Sequence, residues 1–245
     1  MTTWVVVPCF DEAGRLDVDA FDLLVDRADR VVFVDDGSTD ATASVIEGYA
    51  GRRDGVELLR LAANVGKAEA VRTGMRHAVD HGATLVGYLD ADLATPAAEM
   101  CRLIDIARSQ PRRAAVIGSR VALLGHSVVR RPARHYLGRL YATAASLALE
   151  IPVYDTQCGA KVFRVAPPLR HALSAPFADR WAFDVELLAR LLRHPDQHTD
   201  AVLEVPLETW HDVAGSRVSA TSGLRAAAAL LGLRRRVRRH LRRAG

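Results

Sequence analysis

Carboxylates gather in this chain where apolar runs stop. Leu85 to Leu89 is followed by Asp90-Ala91-Asp92-Leu93, two acids one residue apart at the end of what reads as a buried strand. Hard oxygen donors at that spacing suit a single divalent ion, Mg2+ or Mn2+, bridging a diphosphate. Trp4 to Pro8 leads into Cys9-Phe10-Asp11-Glu12, and Val31 to Val34 leads into Asp35-Asp36-Gly37-Ser38-Thr39-Asp40. Acids so placed can accept hydrogen bonds from a nucleobase imide or a ribose hydroxyl, while Ser38 or Thr39 is expected to cap the next helix. Asp35 and Asp36 are adjacent and repel one another, so a cation, hydrogen-bond donors or a ligand must lie close. The loop Asn64-Val65-Gly66-Lys67-Ala68 opens a helix, where free amides, the helix dipole and Lys67 together favour an anion such as a phosphate. Lys67 and Lys161 are the only lysines in a chain rich in arginine. Neither GxxxxGK(S/T) nor GxGxxG occurs, and Ala94 stands where a DxDx(T/V) phosphatase motif needs Thr or Val.

The elements that must hold these groups read as a βαβ series. Strands are expected at Trp4 to Pro8, Val31 to Val34, Val56 to Leu61, Leu85 to Leu89 and Ala114 to Gly118, each a short apolar run. Between them, apolar residues recur at helical spacing, as in Val71, Met75, Ala78 and Val79. Right-handed crossovers then give a mostly parallel twisted sheet flanked by helices, with ligands at the carboxyl ends of the strands. After Arg120 the pattern changes to a long helix from about Pro132 to Leu149, an irregular segment through Lys161, a helix around Trp181 to Leu192 and a strand at Val202 to Val205. One α/β domain over residues 1–220 is expected. Residues 1–119 form its nucleotide-binding half and 120–220 its acceptor half, and a basic amphipathic helix over 221–245 follows.

Order and spacing of these motifs resemble the family 2 glycosyltransferases of GT-A fold, within them the dolichyl-phosphate glucosyltransferase and polyprenyl-phosphate mannosyltransferase group. Pro8 to Glu12 is similar to that family's P-x-(Y/F)-N-E, Asp35 to Asp40 to DDGSxD, Asn64 to Lys67 to N-x-GK, and Asp90 to Leu93 to DADL. Asp155 to Lys161, Arg180 to Leu187 and Gly215 to Arg217 resemble DTQCGFK, RWAFDVEL and GSK, with Ala160 for Phe and Arg217 for Lys. The resemblance implies an inverting hexosyl transfer, glucose or mannose, from a UDP- or GDP-linked donor to a polyprenyl phosphate. It implies donor binding by Pro8, Phe10, Asp11, Glu12, Asp35, Asp36, Asn64, Lys67, Ala91 and Arg217, with Asp90 and Asp92 holding Mg2+ or Mn2+. Acceptor contacts fall to Arg120, Arg131, Gln157 and Trp181. A phosphate monoester is mostly dianionic at neutral pH and needs orientation more than a base, which arginine forks supply. A hydroxyl of a small metabolite or polysaccharide would instead need a carboxylate base, for which Asp184 or Glu186 is the candidate. A third possibility is a non-catalytic nucleotide-binding protein.

Composition narrows the setting. The chain has 245 residues, 49% of them hydrophobic, and a net charge of +4. Seven arginines lie between Arg234 and Arg243, leaving 26 basic against 29 acidic residues elsewhere. Leu230, Leu233, Val237 and Leu241 recur at helical spacing through that basic run, the pattern of a helix lying on an anionic membrane surface. No apolar run reaches the ~20 residues of a membrane span. Three scattered cysteines and no signal-peptide pattern point to a cytoplasmic protein, peripheral on the inner membrane face. Nothing in the pattern indicates specific nucleic-acid recognition.

Overall fold

The computed structural model describes residues 1–121, 123–128, 143, 145–146, 152–180, 182–197 and 200–213. Five strands alternate with helices: β1 (Thr3–Cys9), α1 (Asp22–Arg27), β2 (Arg30–Asp35), α2 (Thr42–Ala50), β3 (Val56–Arg60), α3 (Lys67–Asp80), β4 (Leu85–Leu89), α4 (Ala97–Ser109) and β5 (Ala115–Ser119). There follow β6 (Ser127–Val128), β7 (Ala160–Arg164), α5 (Pro167–Ala172), α6 (Phe183–Leu192), β8 (Val202–Pro206) and β9 (Thr209–Trp210). Each of the six strands expected from apolar runs is present, with bounds shifted by a residue or two.

Seven strands form one sheet in the order β3-β2-β1-β4-β7-β5-β8, and β6 pairs with β9 beside it. Every pairing in the large sheet is parallel except those of β7, which runs antiparallel to both neighbours. The segment expected to be irregular through Lys161 therefore runs into a central strand that starts at Ala160. Its apolar content is short and split by Lys161, so the sequence carries little strand signal; burial between β4 and β5 makes the strand. This insertion also means that the expected nucleotide-binding and acceptor halves share one sheet.

Side chains alternate across the strands and fill two cores. Val6, Val34 and Tyr88 pack with Met75 of α3 and Leu187 of α6, whereas Val5, Val7 and Phe33 pack with Ile46 of α2 and Leu103 of α4. Covering helices on both faces leave the strand ends as the place where polar side chains can meet a ligand. Of the expected helix over 132–149 only residues 143, 145 and 146 are described, all three helical, and the basic tail over 221–245 lies outside the described residues.

Candidate active site

At the carboxyl ends of β1 and β2 the carboxylates are engaged by backbone amides. Asp35 is fully buried, accepts the Ser38 amide at 3.0 Å and has Arg60 Nε at 3.4 Å. Asp36 accepts the amides of Val65 and Gly66, both at 2.8 Å, and so pins the loop before α3 to the end of β2. Burial raises the Asp36 pKa, an effect that these two amide bonds oppose without cancelling. Asp11 stands in the left-handed region with φ 50°; its amide donates to Ser38 Oγ at 3.0 Å and its carboxylate accepts the Thr39 amide at 2.9 Å. The Glu12 amide donates to Thr42 Oγ1 at 2.8 Å, while its carboxylate pairs with Arg15. Asp40 accepts the amides of Ala13 and Thr42.

The Ser38 hydroxyl thus serves the β1 loop. The expected capping by Ser38 or Thr39 does not occur: α2 starts at Thr42 behind Ala41 with no side-chain cap bond. The physical reason is that the helix begins at Thr42, so neither Ser38 nor Thr39 occupies the position before it; Asp40 is the residue that accepts the Thr42 amide. Pro8 and Phe10 are partly buried, and Asn64 is exposed. Gly66 has φ 93°, and a Cβ there would meet Arg180 Cδ at 3.2 Å, so the RWAFDVEL-like segment reaches over the Asn64 to Lys67 loop.

Asp90 and Asp92 follow β4. The Asp90 amide donates to the carbonyl of Gly159 at 3.0 Å, extending the β4–β7 ladder by one bond. A Cβ on Gly159 would sit 2.3 Å from Asp90 Oδ2, so glycine is what admits this carboxylate. On its other side Lys67 Nζ lies 2.6 Å from Asp90 Oδ1. Asp92 Oδ1 accepts the Ala94 amide at 3.1 Å, and Leu93 turns the chain with φ 49°. Burial, and then the negative charge of Asp90, push the Asp92 carboxyl above its ordinary value. Ala91 is buried between them.

Two hard carboxylates crowded in this way are chemically suited to Mg2+ or Mn2+, and a cation would relieve the repulsion that raises Asp92. Among the described residues no cluster of three His, Cys, Asp or Glu forms a closed cage.

Behind Asp90 lies a buried polar set that spans three elements. Lys161 of β7 is fully buried, and its ammonium donates to Tyr88 Oη at 2.7 Å, to Asp184 Oδ1 at 2.7 Å and to the carbonyl of Cys158. Tyr88 in turn donates to Asp184 Oδ1. Burial and the adjacent Asp184 charge raise the Tyr88 pKa well above its ordinary value, so it stays a phenol and a donor. Glu186 is equally committed, pairing with Arg190 at 2.6 Å and accepting the Ala178 amide at 2.9 Å.

Arg120 at the end of β5 forms a fork to Asp155, Nε to Oδ2 at 2.6 Å and Nη2 to Oδ1 at 2.8 Å, and stacks over Trp210 at 5.6 Å. The Gln157 amide donates to the same Asp155 at 3.1 Å. The structure therefore brings Pro8, Phe10, Asp11, Glu12, Asp35, Asp36, Asn64, Lys67, Asp90, Ala91 and Asp92 to one end of the sheet. Arg120 and Gln157 are tied into an Asp155 cluster at the same end. Arg131, Trp181 and Arg217 lie outside the described residues.

Sequence reasoning did not single out Tyr88, Gly159, Asp155 or Arg180 as site groups. Tyr88 sits inside an apolar run, and nothing local in the chain announces that Lys161 lies opposite it.

Proteins similar to this chain include sugar transferases. A dolichyl-phosphate beta-glucosyltransferase of Trichomonas vaginalis is 31% identical over 88% of this chain and 66% of its own length. One of Drosophila melanogaster is 31% identical over 88% of this chain and 68% of its own. The chain thus spans about two thirds of the length of these relatives. Among solved structures, the mannosyltransferase PcManGT from Pyrobaculum calidifontis in complex with GDP-Man and Mn2+ superposes with a TM-score of 0.57. It is 21% identical, with 88% of this chain and 57% of that one covered, so the likeness concerns the fold, which is the GT-A arrangement expected from the motifs. Residues 4–167, the stretch that runs from β1 through β7, match the model of glycosyl transferase family 2, and the chain belongs to that family.

Proposed function

We propose that this protein transfers a hexose from a nucleotide-sugar donor to a polyprenyl phosphate with a divalent ion bound by Asp90 and Asp92. The observation that carries the acceptor class is the state of Asp184. A general base needs a free lone pair and access to the acceptor proton. Asp184 is 5% exposed, and its Oδ1 already accepts from Tyr88 and Lys161. Glu186 is held by Arg190 and the Ala178 amide. With Asp184 buried and its Oδ1 shared between an ammonium and a phenol, and with both oxygens of Glu186 engaged, the favoured acceptor is one that arrives ionised, as a phosphate monoester does above its second pKa of about 6.

In the proposed step an acceptor phosphate oxygen attacks the anomeric carbon from the face opposite the leaving group. The anomeric C–O bond to the donor diphosphate breaks, and the nucleoside diphosphate departs with the electron pair. Asp36 and Asp11 hold the loops that would receive the nucleoside, and Lys67 at the start of α3 faces the departing phosphates. Mg2+ or Mn2+, when bound, supplies charge neutralisation for that diphosphate. Arg120, oriented by Asp155, and Arg131 are assigned to the acceptor phosphate, and Arg217 to the donor phosphates. The names of the relatives favour glucose as the sugar. Among the described residues no helix is long and apolar enough to cross a membrane. Contact with an anionic membrane surface on the cytoplasmic side is assigned to the basic pattern over 221–245.

The test is incubation of the purified protein and Mn2+ with a panel of labelled nucleotide sugars, with and without a short-chain polyprenyl phosphate. Label that becomes lipid-extractable only with the phosphate acceptor is expected. Label found solely in water-soluble glycosides would overturn the acceptor assignment.

A further inference from the structure

The Tyr88, Lys161 and Asp184 set is more elaborate than packing requires. A buried ion pair adds little stability over apolar residues of the same volume, so its presence calls for another reason. Its third bond supplies one. The Lys161 ammonium has three donors, and two are spent on Tyr88 and Asp184; the last goes to the carbonyl of Cys158. Cys158 precedes Gly159, whose carbonyl receives the Asp90 amide and whose missing Cβ leaves room for the Asp90 carboxylate. The register puts Lys161 directly opposite Tyr88 and Ala160 opposite Leu89, so the turn at 158–159 faces the residue that follows β4. Asp184 ties the same ammonium to the start of α6.

We propose that Lys161, locked by Tyr88 and Asp184, is a positioning residue that fixes the Cys158–Gly159 turn and thereby holds Asp90 in place to bind the divalent ion. This rests on the reading of Asp90 and Asp92 as metal ligands. Lys161 touches neither substrate nor ion; it acts through one carbonyl and one glycine. The fully satisfied ammonium cannot drift, because each displacement strands a buried acceptor in a medium where that is costly. An apolar side chain at 161 would fill the same volume but leave the turn without its tether.

The test uses the full chain and compares wild type with Tyr88→Phe/Lys161→Met/Asp184→Leu, which replaces the buried polar set by apolar groups of similar size. Lys161→Met alone would strand Asp184 and is expected to fold poorly, whereas the triple variant should melt within a few degrees of wild type. Mn2+ binding is measured directly by electron paramagnetic resonance without donor sugar, alongside kcat and donor KM. The triple variant should bind Mn2+ about 10–100-fold more weakly, as loss of support for a ligand typically does. Its kcat at low Mn2+ should fall in parallel and recover in part at high Mn2+. Gly159→Ala, which crowds Asp90 from the same turn, should show the same metal defect. A folded triple variant that binds Mn2+ as tightly as wild type overturns the proposal and leaves the metal reading standing. Wild type that binds no Mn2+ overturns both.

Discussion

The two sides of the site hold their carboxylates by different means. At the ends of β1 and β2, Asp11, Asp35, Asp36 and Asp40 are held by backbone amides, from Thr39, from Ser38, from Val65 and Gly66, and from Ala13 and Thr42. Around β5, β7 and α6, Asp155, Asp184 and Glu186 are held by side-chain cations, Arg120, Lys161 and Arg190. An amide-held carboxylate keeps its negative charge and its remaining lone pairs, and can present them to the hydroxyls and imide of a nucleoside. A cation-paired carboxylate has its charge offset by its partner and fewer lone pairs left to offer. The first side suits the proposed donor contacts, and the second suits a frame. Asp90 stands between them, with Lys67 on one flank and Gly159 on the other.

That contrast is broken most severely at the junction. Asp92→Asn should lower turnover by about a thousand-fold or more, equivalent to roughly 4 kcal/mol of lost charge stabilisation, while circular dichroism stays unchanged. The pH dependence has a definite sign. Asp92 has a raised pKa in the fold, so the native state holds its proton more tightly than the unfolded chain. The ionised form therefore costs stability as pH rises above the ordinary carboxylate value. Asp92→Asn removes that cost, so the metal-free variant should melt no lower than wild type at pH 7. Mn2+ affinity of wild type should fall as pH drops through the raised pKa, because ion and proton compete for the same carboxylate. A variant that keeps wild-type turnover at limiting metal would remove Asp92 from the site.

Asp184→Asn separates frame from chemistry. Stranding the buried Lys161 charge should cost about 3 kcal/mol, a fall in Tm of about 6–12 °C for a chain of this size. Turnover at 25 °C should drop less than about tenfold, against the roughly hundred-fold or greater loss expected of a missing general base. Loss of turnover with an unchanged Tm would mark Asp184 as a base and bring back the hydroxyl acceptor.

On the amide-held side, Asp36→Ala frees the Val65 and Gly66 amides. It should cost about 2 kcal/mol and raise the donor KM while leaving the acceptor KM within about twofold. Isothermal calorimetry with the nucleoside diphosphate, with no metal-dependent step involved, checks the donor half of this prediction. The smallest effect is expected from Gly66→Ala, where a side chain at φ 93° strains the loop by about 1–2 kcal/mol and presses on the movable end of Arg180. A shift in thermal midpoint of about 2–8 °C by calorimetry measures it.

The sequence by itself determined the side to which donor binding is proposed. Asp11, Asp35, Asp36 and Asp90 follow apolar runs directly, and a strand end is a local event: alternation stops, polar residues begin, and the position of the carboxylate follows from chain geometry. The same locality made the parallel strands and the helices between them readable. Only the tertiary structure decided that β7 enters between β4 and β5, that Lys161 is buried opposite Tyr88, and that Asp184 and Arg120 are already paired. Lys161 and Tyr88 lie 73 residues apart, and Arg120 and Asp155 lie 35 apart. No periodicity spans such gaps. An ion pair is chosen by which cation the fold carries to which acid, whereas the residue types alone give Asp184 the same carboxylate as Asp36.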